Sequence, residues 1–277
     1  DTTDASALFE VKGTSGGLLL PRVTTSQQKM IPNPAAGLIV FNTDSSDFYG
    51  FDGSVWKALW EPTDTISSYC PDSIEYDGQW YLTVQIGSQC WMAENLNVGT
   101  RIDGSQDQQD NSTVEKYCYD DDENECDTYG GLYQWNEMMQ YSTLEHTQGI
   151  CPDGWHLPGD EEWKVLEGTA DTYYSVGDPV WDAVGTWRGI DAGKRLKSST
   201  GWIVNTGTDV FGFTALGGGY RSTDGTFGDL IINGSFWSST ELDSNGAWDR
   251  RFGHDNDGIF RGHYSKDNGF SVRCLKD

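Results

Sequence analysis

Six cysteines constrain the fold of this chain more than any other feature of its sequence. Their even number and the absence of a C-x-x-C pair favour disulfides formed in an oxidising compartment over zinc ligands or reduced buried thiols. Fifteen pairings are possible in principle. Sequence proximity favours two of them and leaves a third that would join the C-terminal end to the middle of the chain: Cys118–Cys126 around the acidic YDDDENE segment, Cys70–Cys90 across a predicted hairpin, and Cys151–Cys274. We therefore expect a secreted protein.

The charge of the chain excludes some classes of partner. Its formal net charge is −25, with only 18 lysines and arginines, whereas binding to nucleic acid or an anionic membrane surface requires a basic stripe. No apolar stretch approaches the roughly 20 residues of a membrane span. The chain begins at Asp1 rather than Met, which we interpret as a trimmed terminus from which any export signal or lipid anchor has been removed.

Residues 1–59 differ from the rest of the chain and are predicted to form a small β-rich module. They lack cysteine and contain a capped short helix after Thr24, an apolar strand over Leu38–Asn42 and a hairpin turn at Asp52-Gly53. The LLLPRVTT and PAAGLIVFNT runs of this segment resemble a connector module of secreted Bacteroidetes proteins and phage tail-fibre proteins. The resemblance implies a stalk and a possible homotrimer through residues 1–59. Residues 60–69 are interpreted as the linker.

Residues 70–277 are predicted to form the second, larger domain. Asp77-Gly78 is the predicted turn of its first hairpin. Leu132, Trp135 and Met139 have the spacing of one helix face, and Asp160 is predicted to cap a second helix whose apolar face includes Trp163 and Leu166. The sequence therefore indicates a hairpin and two short helices in this domain.

Several motifs of this second domain resemble the Fibrobacter major-paralogous domain family, which is related to the C-type lectin fold and to formylglycine-generating enzymes. In chain order they are QCWMAENLN (89–97), YGGLYQW (129–135), CPDGWHLP (151–158), GFTALGGGYR (212–221), FWSST (236–240) and GFSVRC (269–274). The resemblance implies a C-type-lectin-like α+β domain with two helices, a mixed sheet and termini that lie close together. The Cys151–Cys274 pairing suits such a closure.

The sequence favours binding over catalysis. Formylglycine-generating chemistry needs reactive cysteines in a substrate groove, whereas Cys274 is the only cysteine after Cys151 and is better explained as a structural bridge. The four histidines lack metal-site spacing, and no nucleophile-elbow or nucleotide-binding motif is present. We expect no enzymatic activity and no cofactor. A structural Ca²⁺ site at Asp255, Asn256 and Asp257 remains open, although a solvated loop explains these residues equally well.

The stretch from Asp243 to Asn268 has the composition of a recognition surface, with aromatic residues among small polar groups. It resembles the C-terminal variable region of proteins diversified by retroelements, in which adenines of a template are randomised. Randomising an AAC or AAT codon never gives Lys, Glu, Gln, Met or Trp, and only Trp248 and Lys266 in this stretch belong to that excluded set. The alternative is a Gly- and Asp-rich surface meander.

These observations predict a ligand-binding face, with Trp248 as a fixed core residue. The candidate ligand-binding residues are Asp243, Asn245, Asp249, Arg250, Arg251, Phe252, His254, Asp255, Asn256, Asp257, Phe260, Arg261, His263 and Tyr264. Their aromatic members would supply apolar anchors, and their arginines would pair with acidic or aromatic groups of a partner. The predicted function is a secreted or surface-displayed adhesin that binds a protein or glycan receptor on another cell. The alternatives are a phage tail-fibre tip, a formylglycine-generating enzyme and a structural cell-envelope domain.

Overall fold

The computed structural model describes residues 19–45, 47–59, 70–204 and 206–277. The chain divides into two units, Asp1–Ser67 and Ser68–Asp277. The first eighteen residues and the predicted linker 60–69 lie outside the described residues. Within the described ranges, no helix has both the length and the apolar character that a membrane crossing requires.

The first unit is a four-stranded sheet with one short helix, α1 (Thr25–Lys29). Thr24 Oγ1 accepts from Gln27 N at 3.2 Å and Gln27 Oε1 accepts from Thr24 N at 2.9 Å, so the predicted cap of this helix is confirmed as a capping box. The hairpin predicted at Asp52-Gly53 is also confirmed, between β3 and β4. The strands are β1 (Arg22–Val23), β2 (Ile39–Asn42), β3 (Asp47–Phe51) and β4 (Trp56–Ala58), in that spatial order.

The second unit contains short helices and strands in a mixed α+β arrangement. Its helices are α2 (Glu123–Tyr129), α3 (Trp135–Met138), α4 (Asp160–Ala170) and α5 (Ala192–Leu196), with 3₁₀ turns at Tyr119–Asp121 and Pro179–Asp182. Its strands are β5 (Ser73–Tyr76), β6 (Gln79–Ile86), β7 (Gln89–Met92), β8 (Thr100–Arg101), β9 (Glu115–Lys116), β10 (Trp155–His156), β11 (Thr186–Arg188), β12 (Gly218–Arg221), β13 (Phe227–Leu230), β14 (Asn233–Glu241), β15 (Gly246–Gly253), β16 (Ile259–Ser265) and β17 (Leu275–Lys276).

Two main sheets organise this unit. The first has the order β10-β17-β7-β6-β5, so the last strand of the chain pairs with β7 near the beginning of the domain. The second has the order β11-β16-β15-β14-β12-β13, and its centre is an antiparallel meander of β14, β15 and β16. The turn predicted at Asp77-Gly78 is confirmed between β5 and β6. A third, two-stranded sheet of this unit joins β8 and β9.

The core of the second unit consists of two aromatic-rich clusters. One surrounds the Cys151–Cys274 bridge and includes Trp135, Trp237 and Phe270. The other lies against α4 and includes Trp91 and Trp163, whose ring centroids are 4.9 Å apart. Buried aromatic side chains of this size supply a large share of the apolar stabilisation of a domain.

All six cysteines form disulfides, in the two pairs that sequence proximity favours and in the third pair that they leave. The bridges are Cys70–Cys90, Cys118–Cys126 and Cys151–Cys274, with Cα–Cα distances of 5.3, 4.9 and 5.9 Å. The last bridge joins the segment before β10 to the segment before β17. It therefore fixes the C-terminal end of the chain to the interior of the domain.

The two helix predictions are correct in position but wrong in detail. Helix α3 begins at Trp135, because Leu132 instead pairs with Tyr117 through backbone hydrogen bonds of 2.9 Å in an extended conformation. The N-cap of α4 is Gly159, and Asp160 is the first residue of that helix. The Asp160 carboxylate is not a cap because it is bound by two arginines of the β15–β16 hairpin.

Candidate functional site

The β14–β15–β16 meander contains most of the predicted ligand-binding residues. Asp249 lies opposite Trp237 on one side and Gly262 on the other, while Arg250 lies opposite Phe236 and Arg261. Successive residues of a strand point to opposite faces of the sheet. The candidate residues are therefore divided between two faces and do not form one surface.

One face of the meander is an interior face that packs against α4. The Arg250 guanidinium, completely buried, binds Glu167 through Nε and the Asp160 Oδ1 at 2.8 Å through Nη2. Arg261 binds the two oxygens of Asp160 at 2.8 and 2.7 Å. Burial would raise the pKa of Asp160, but the hydrogen bonds and charges of Arg261 and Arg250 outweigh it and hold that pKa below its usual range.

Four predicted binding residues are buried, three of them on this interior face and Asp249 on the opposite one, and the sequence prediction is corrected for them. Arg250, Arg261, Phe252 and Asp249 are all buried. Phe252 packs in the core cluster that lies against α4, with its ring centroid 5.5 Å from that of Phe236. The arginines are inside because two carboxylates of α4 neutralise them, a pairing that polar composition alone cannot reveal.

Trp248 was predicted to be a fixed core residue, and this is only partly correct. Its side chain is half-buried at the edge of the interior face. The Arg261 guanidinium carbon lies 3.7 Å from the centroid of the Trp248 ring, and His263 lies beside it with ring centroids 5.7 Å apart. Trp248 therefore covers an arginine that is itself bound to Asp160, and His263 is the exposed member of this group.

The two loops of the meander lie at opposite ends of β15. Asp243 and Asn245 are exposed in the loop before this strand, and Asp243 Oδ1 accepts from the backbone N of Asn245 at 2.8 Å. His254, Asp255, Asn256 and Asp257 form the loop after it. Eight strand residues at about 3.3 Å each separate these loops by roughly 25 Å. The two loops are therefore too far apart to form one small contact area.

The loop after β15 is tied to helix α5 and its C-terminal end. Lys194 Nζ lies 3.4 Å from Asp257 Oδ2, and Lys197 Nζ donates to the carbonyl oxygens of Gly253 and Asn256 at 2.7 and 2.9 Å. Among the described residues, no group of three or more His, Cys, Asp or Glu side chains is placed to hold a metal ion.

The opposite face of the meander contains a cavity of about 280 Å³. Arg251 of β15 and Tyr264 of β16 line it from the meander, and the Arg251 guanidinium carbon lies 5.0 Å from the Tyr264 ring centroid and 5.4 Å from that of Phe260. The other lining residues come from β12, β13 and the loops that flank the meander: Tyr220, Ser222, Asp229, Asn268 and Phe270.

Buried polar atoms without partners lie on this same face. Within the described part of the chain, Arg251 Nε, Ser235 Oγ and both carboxylate oxygens of Asp249 have no hydrogen-bond partner. Ser235 is opposite Arg251, and Asp249 is two residues before it on the same face. Burial raises the pKa of Asp249 to about 7, although the charges of Arg251 and Arg250 act in the other direction. Unpartnered buried groups are uncommon in folded proteins, so each of these atoms calls for an explanation.

The sequence profile of the Fibrobacter succinogenes major domain matches residues 84–276, which is more than half of the chain. The chain belongs to the Fibrobacter succinogenes major domain family. A second profile, the phage tail-like trimerisation region, matches residues 1–69. No curated protein and no solved structure matches the chain.

In this member of the Fibrobacter succinogenes major domain family, the predicted ligand-binding residues include only two of the seven residues that line the cavity. Tyr220 and Phe270 belong to the GFTALGGGYR and GFSVRC motifs, which carry the family resemblance, and Ser222 and Asp229 lie well before the predicted recognition stretch. Of the residues predicted to bind ligand, Arg251 and Tyr264 line the cavity and Phe260 packs on Arg251. The available signal was the concentration of aromatic residues in these two motifs.

Proposed function

We propose that this protein is a secreted or surface-displayed adhesin, whose second unit has a C-type-lectin-like fold and binds a receptor through the face that contains Arg251. The observation that carries the proposal is the cavity itself. It combines aromatic walls, polar groups and an arginine whose Nε lacks a partner. Small ligand sites commonly have this make-up, with apolar walls and a few convergent polar groups.

The first unit supports a role as a stalk. Its match to a phage tail-like trimerisation region is compatible with a homotrimer formed through residues 1–59. A trimer would display three copies of the binding face and raise its avidity without new contacts. The same match favours one alternative location, in which the protein is the receptor-binding tip of a phage tail fibre. The chemistry of binding would be the same in both locations.

We propose a binding role and no catalytic role. A formylglycine-generating type of enzyme requires reactive thiols, whereas all six cysteines of this chain are paired in disulfides. The buried ionisable groups on the α4 side of the meander pair with one another. Their pairing supports a structural role for them.

We also propose that a retroelement diversifies the C-terminal face. The burial of some residues limits the positions at which this diversification can occur. Random replacement of Arg250 or Arg261 would remove one of the two arginine partners of a buried carboxylate, Asp160 or Glu167. Diversified positions are therefore expected among the exposed residues, such as Asn245, Asp255 and His263. A template repeat near the gene that differs from it only at adenines would support this part, and its absence would rule it out.

The adhesin proposal is tested by binding of the labelled full chain to a panel of bacterial cells and immobilised glycans. A Phe260→Ala/Tyr264→Ala variant should lose at least about tenfold in apparent affinity, because aromatic anchors dominate such surfaces. Tyr173→Ala is the matched control, since Tyr173 is 75% exposed outside the cavity lining. If both variants bind like the unaltered chain, the binding face lies elsewhere. If the unaltered chain binds no member of the panel, the adhesin proposal fails.

A further inference from the structure

Arg251 differs from the fully buried arginines of the second unit in its partners. Arg188 and Arg250 bind Glu167, Arg221 donates to Gly104 O at 3.0 Å, and Arg273 donates to Asn95 Oδ1 at 2.8 Å. In the described part of the chain, Arg251 has aromatic contacts and an electrostatic interaction with the Asp249 carboxyl, but it has no hydrogen-bonded carboxylate or carbonyl, and its Nε is buried without a hydrogen bond. A guanidinium that lines a cavity and has no protein acceptor is available to an acceptor group of a ligand.

A carboxylate is the group that best fits this arginine. The guanidinium presents parallel N–H groups in a fixed plane, and these match the two oxygens of a carboxylate in a bidentate pair. The rings of Phe260 and Tyr264 pack against the Arg251 guanidinium, so its orientation is set before a ligand arrives. Preorganisation of this kind reduces the entropy lost on binding.

The other residues that line the cavity indicate the chemical class of the ligand that bears the carboxylate. Tyr220, Tyr264 and Phe270 offer aromatic surface, while Ser222 and Asn268 offer hydrogen bonds. Asp229, held by a 2.6 Å hydrogen bond from Asn233 Nδ2, is an acceptor for hydroxyl groups. Together these groups suit the apolar face and the hydroxyls of a sugar ring. The volume of about 280 Å³ is just below the roughly 300–1,000 Å³ of common ligand pockets, which favours a single ring.

An acidic peptide fits the same cavity less well. Asp229 lies in the lining with Arg251, and the chain has a net charge of −25. A ligand with several carboxylates would be repelled by both, whereas a sugar with one carboxylate needs only the contact with Arg251. Resting on the proposed binding function, we infer that this cavity binds a monocarboxylated sugar residue, such as a uronic acid, with its carboxylate on Arg251.

The test is calorimetric titration of the full chain with D-glucuronate, D-glucose and tri-glutamate into the millimolar range. Glucuronate should bind at least about tenfold more tightly than glucose, since a charged hydrogen-bonded pair distinguishes them. Arg251→Gln should abolish that preference and leave glucose binding unchanged, and Arg251→Lys should restore part of it. Arg195→Gln is the matched control, because Arg195 is a half-buried arginine 5.1 Å from the Phe211 ring centroid and does not line the cavity.

Three results would overturn the inference: equal affinity for glucose and glucuronate, equal effects of Arg251→Gln and Arg195→Gln, or tighter binding of tri-glutamate than of glucuronate. The last result would identify an acidic peptide as the ligand. Failure here is distinguishable from failure of the adhesin proposal. If the chain binds cells or immobilised glycans and neither glucuronate nor Arg251→Gln weakens that binding, the sugar inference fails and the adhesin proposal stands.

Discussion

Arg250 and Glu167 form an ion pair in which both side chains are completely buried, although the two residues lie 83 positions apart. Glu167 also binds Arg188, which is itself buried, so one carboxylate of α4 joins strands β11 and β15. Asp160, which lies about two turns before Glu167 in the same helix, binds Arg250 and Arg261. This network attaches the helix to the back of the meander and leaves the opposite face free to line the cavity.

Removal of the Glu167 charge should destabilise the second unit strongly. In Glu167→Gln, Arg250 and Arg188 lose their shared carboxylate while they remain buried, and breaking a buried pair in this way costs about 3–5 kcal/mol. Urea denaturation monitored by tryptophan fluorescence measures the free energy of unfolding.

Asp182→Asn is the control for this measurement. Asp182 pairs with Lys164 at 2.7 Å, but its side chain is 71% exposed, so its loss should destabilise the fold far less than the loss of the Glu167 charge. Equal effects of the two substitutions would show that the buried network contributes no more than a surface pair.

The sequence predicted the local features of the fold well because their causes are local. Asp77-Gly78 and Asp52-Gly53 form turns through the backbone preferences of their own residues, and Cys118–Cys126 closes a short loop. The longer Cys151–Cys274 bridge followed once the two short pairings were assigned. The α+β class followed from the motifs quoted for the family.

The division of the candidate site into two faces was not predictable from one sequence. Asp, Arg and aromatic residues occur on both faces of β15, and only the distant Asp160 and Glu167 determine that Arg250 is inside and Arg251 lines a cavity. The remaining walls of the cavity come from Tyr220 and Phe270, which neighbouring strands and loops bring beside Arg251. A composition argument can identify a segment rich in recognition residues, but it cannot assign their faces.

Asp249 should make the stability of the fold fall as pH rises. Burial raises its pKa to about 7, above the ordinary value of 3.8, so the folded state holds a proton that the unfolded state releases. The stabilising contribution is complete below about pH 4 and is lost as pH rises to about 7. Gly262 lies opposite, and a Cβ there would be 2.9 Å from Asp249 Oδ1, so no larger residue at that position could accommodate this carboxyl without a shift.

Asp249→Asn tests this assignment because an amide has the same shape and does not ionise. The variant should unfold at a higher temperature than the unaltered chain at pH 8, and the difference should shrink towards pH 5. Thermal unfolding by circular dichroism across that pH range measures the difference. A constant difference would mean that Asp249 is already ionised in the folded state throughout the range.

The full chain should be a trimer in solution if residues 1–69 act as the matched trimerisation region. Sedimentation equilibrium should then give three times the mass of one chain. A fragment covering Ser68–Asp277 should be a folded monomer, because this unit has its own two core clusters. A monomeric full chain, or a trimeric fragment, would contradict the assignment of the stalk.

The Cys151–Cys274 and Cys118–Cys126 disulfides should differ in their contribution to the free energy of unfolding, because they close loops of different length. Cys151–Cys274 spans 123 residues and Cys118–Cys126 spans only 8. The chain-entropy relation gives about 5 kcal/mol for the longer loop and about 2.5 kcal/mol for the shorter one. Replacing both cysteines of a pair with serine avoids a free thiol, so the two double variants can be compared directly by urea denaturation. Since the longer bridge also lies in the aromatic core, its loss should cost at least the larger value. An equal loss from both variants would mean that restriction of the unfolded chain is not the main effect of the Cys151–Cys274 bridge.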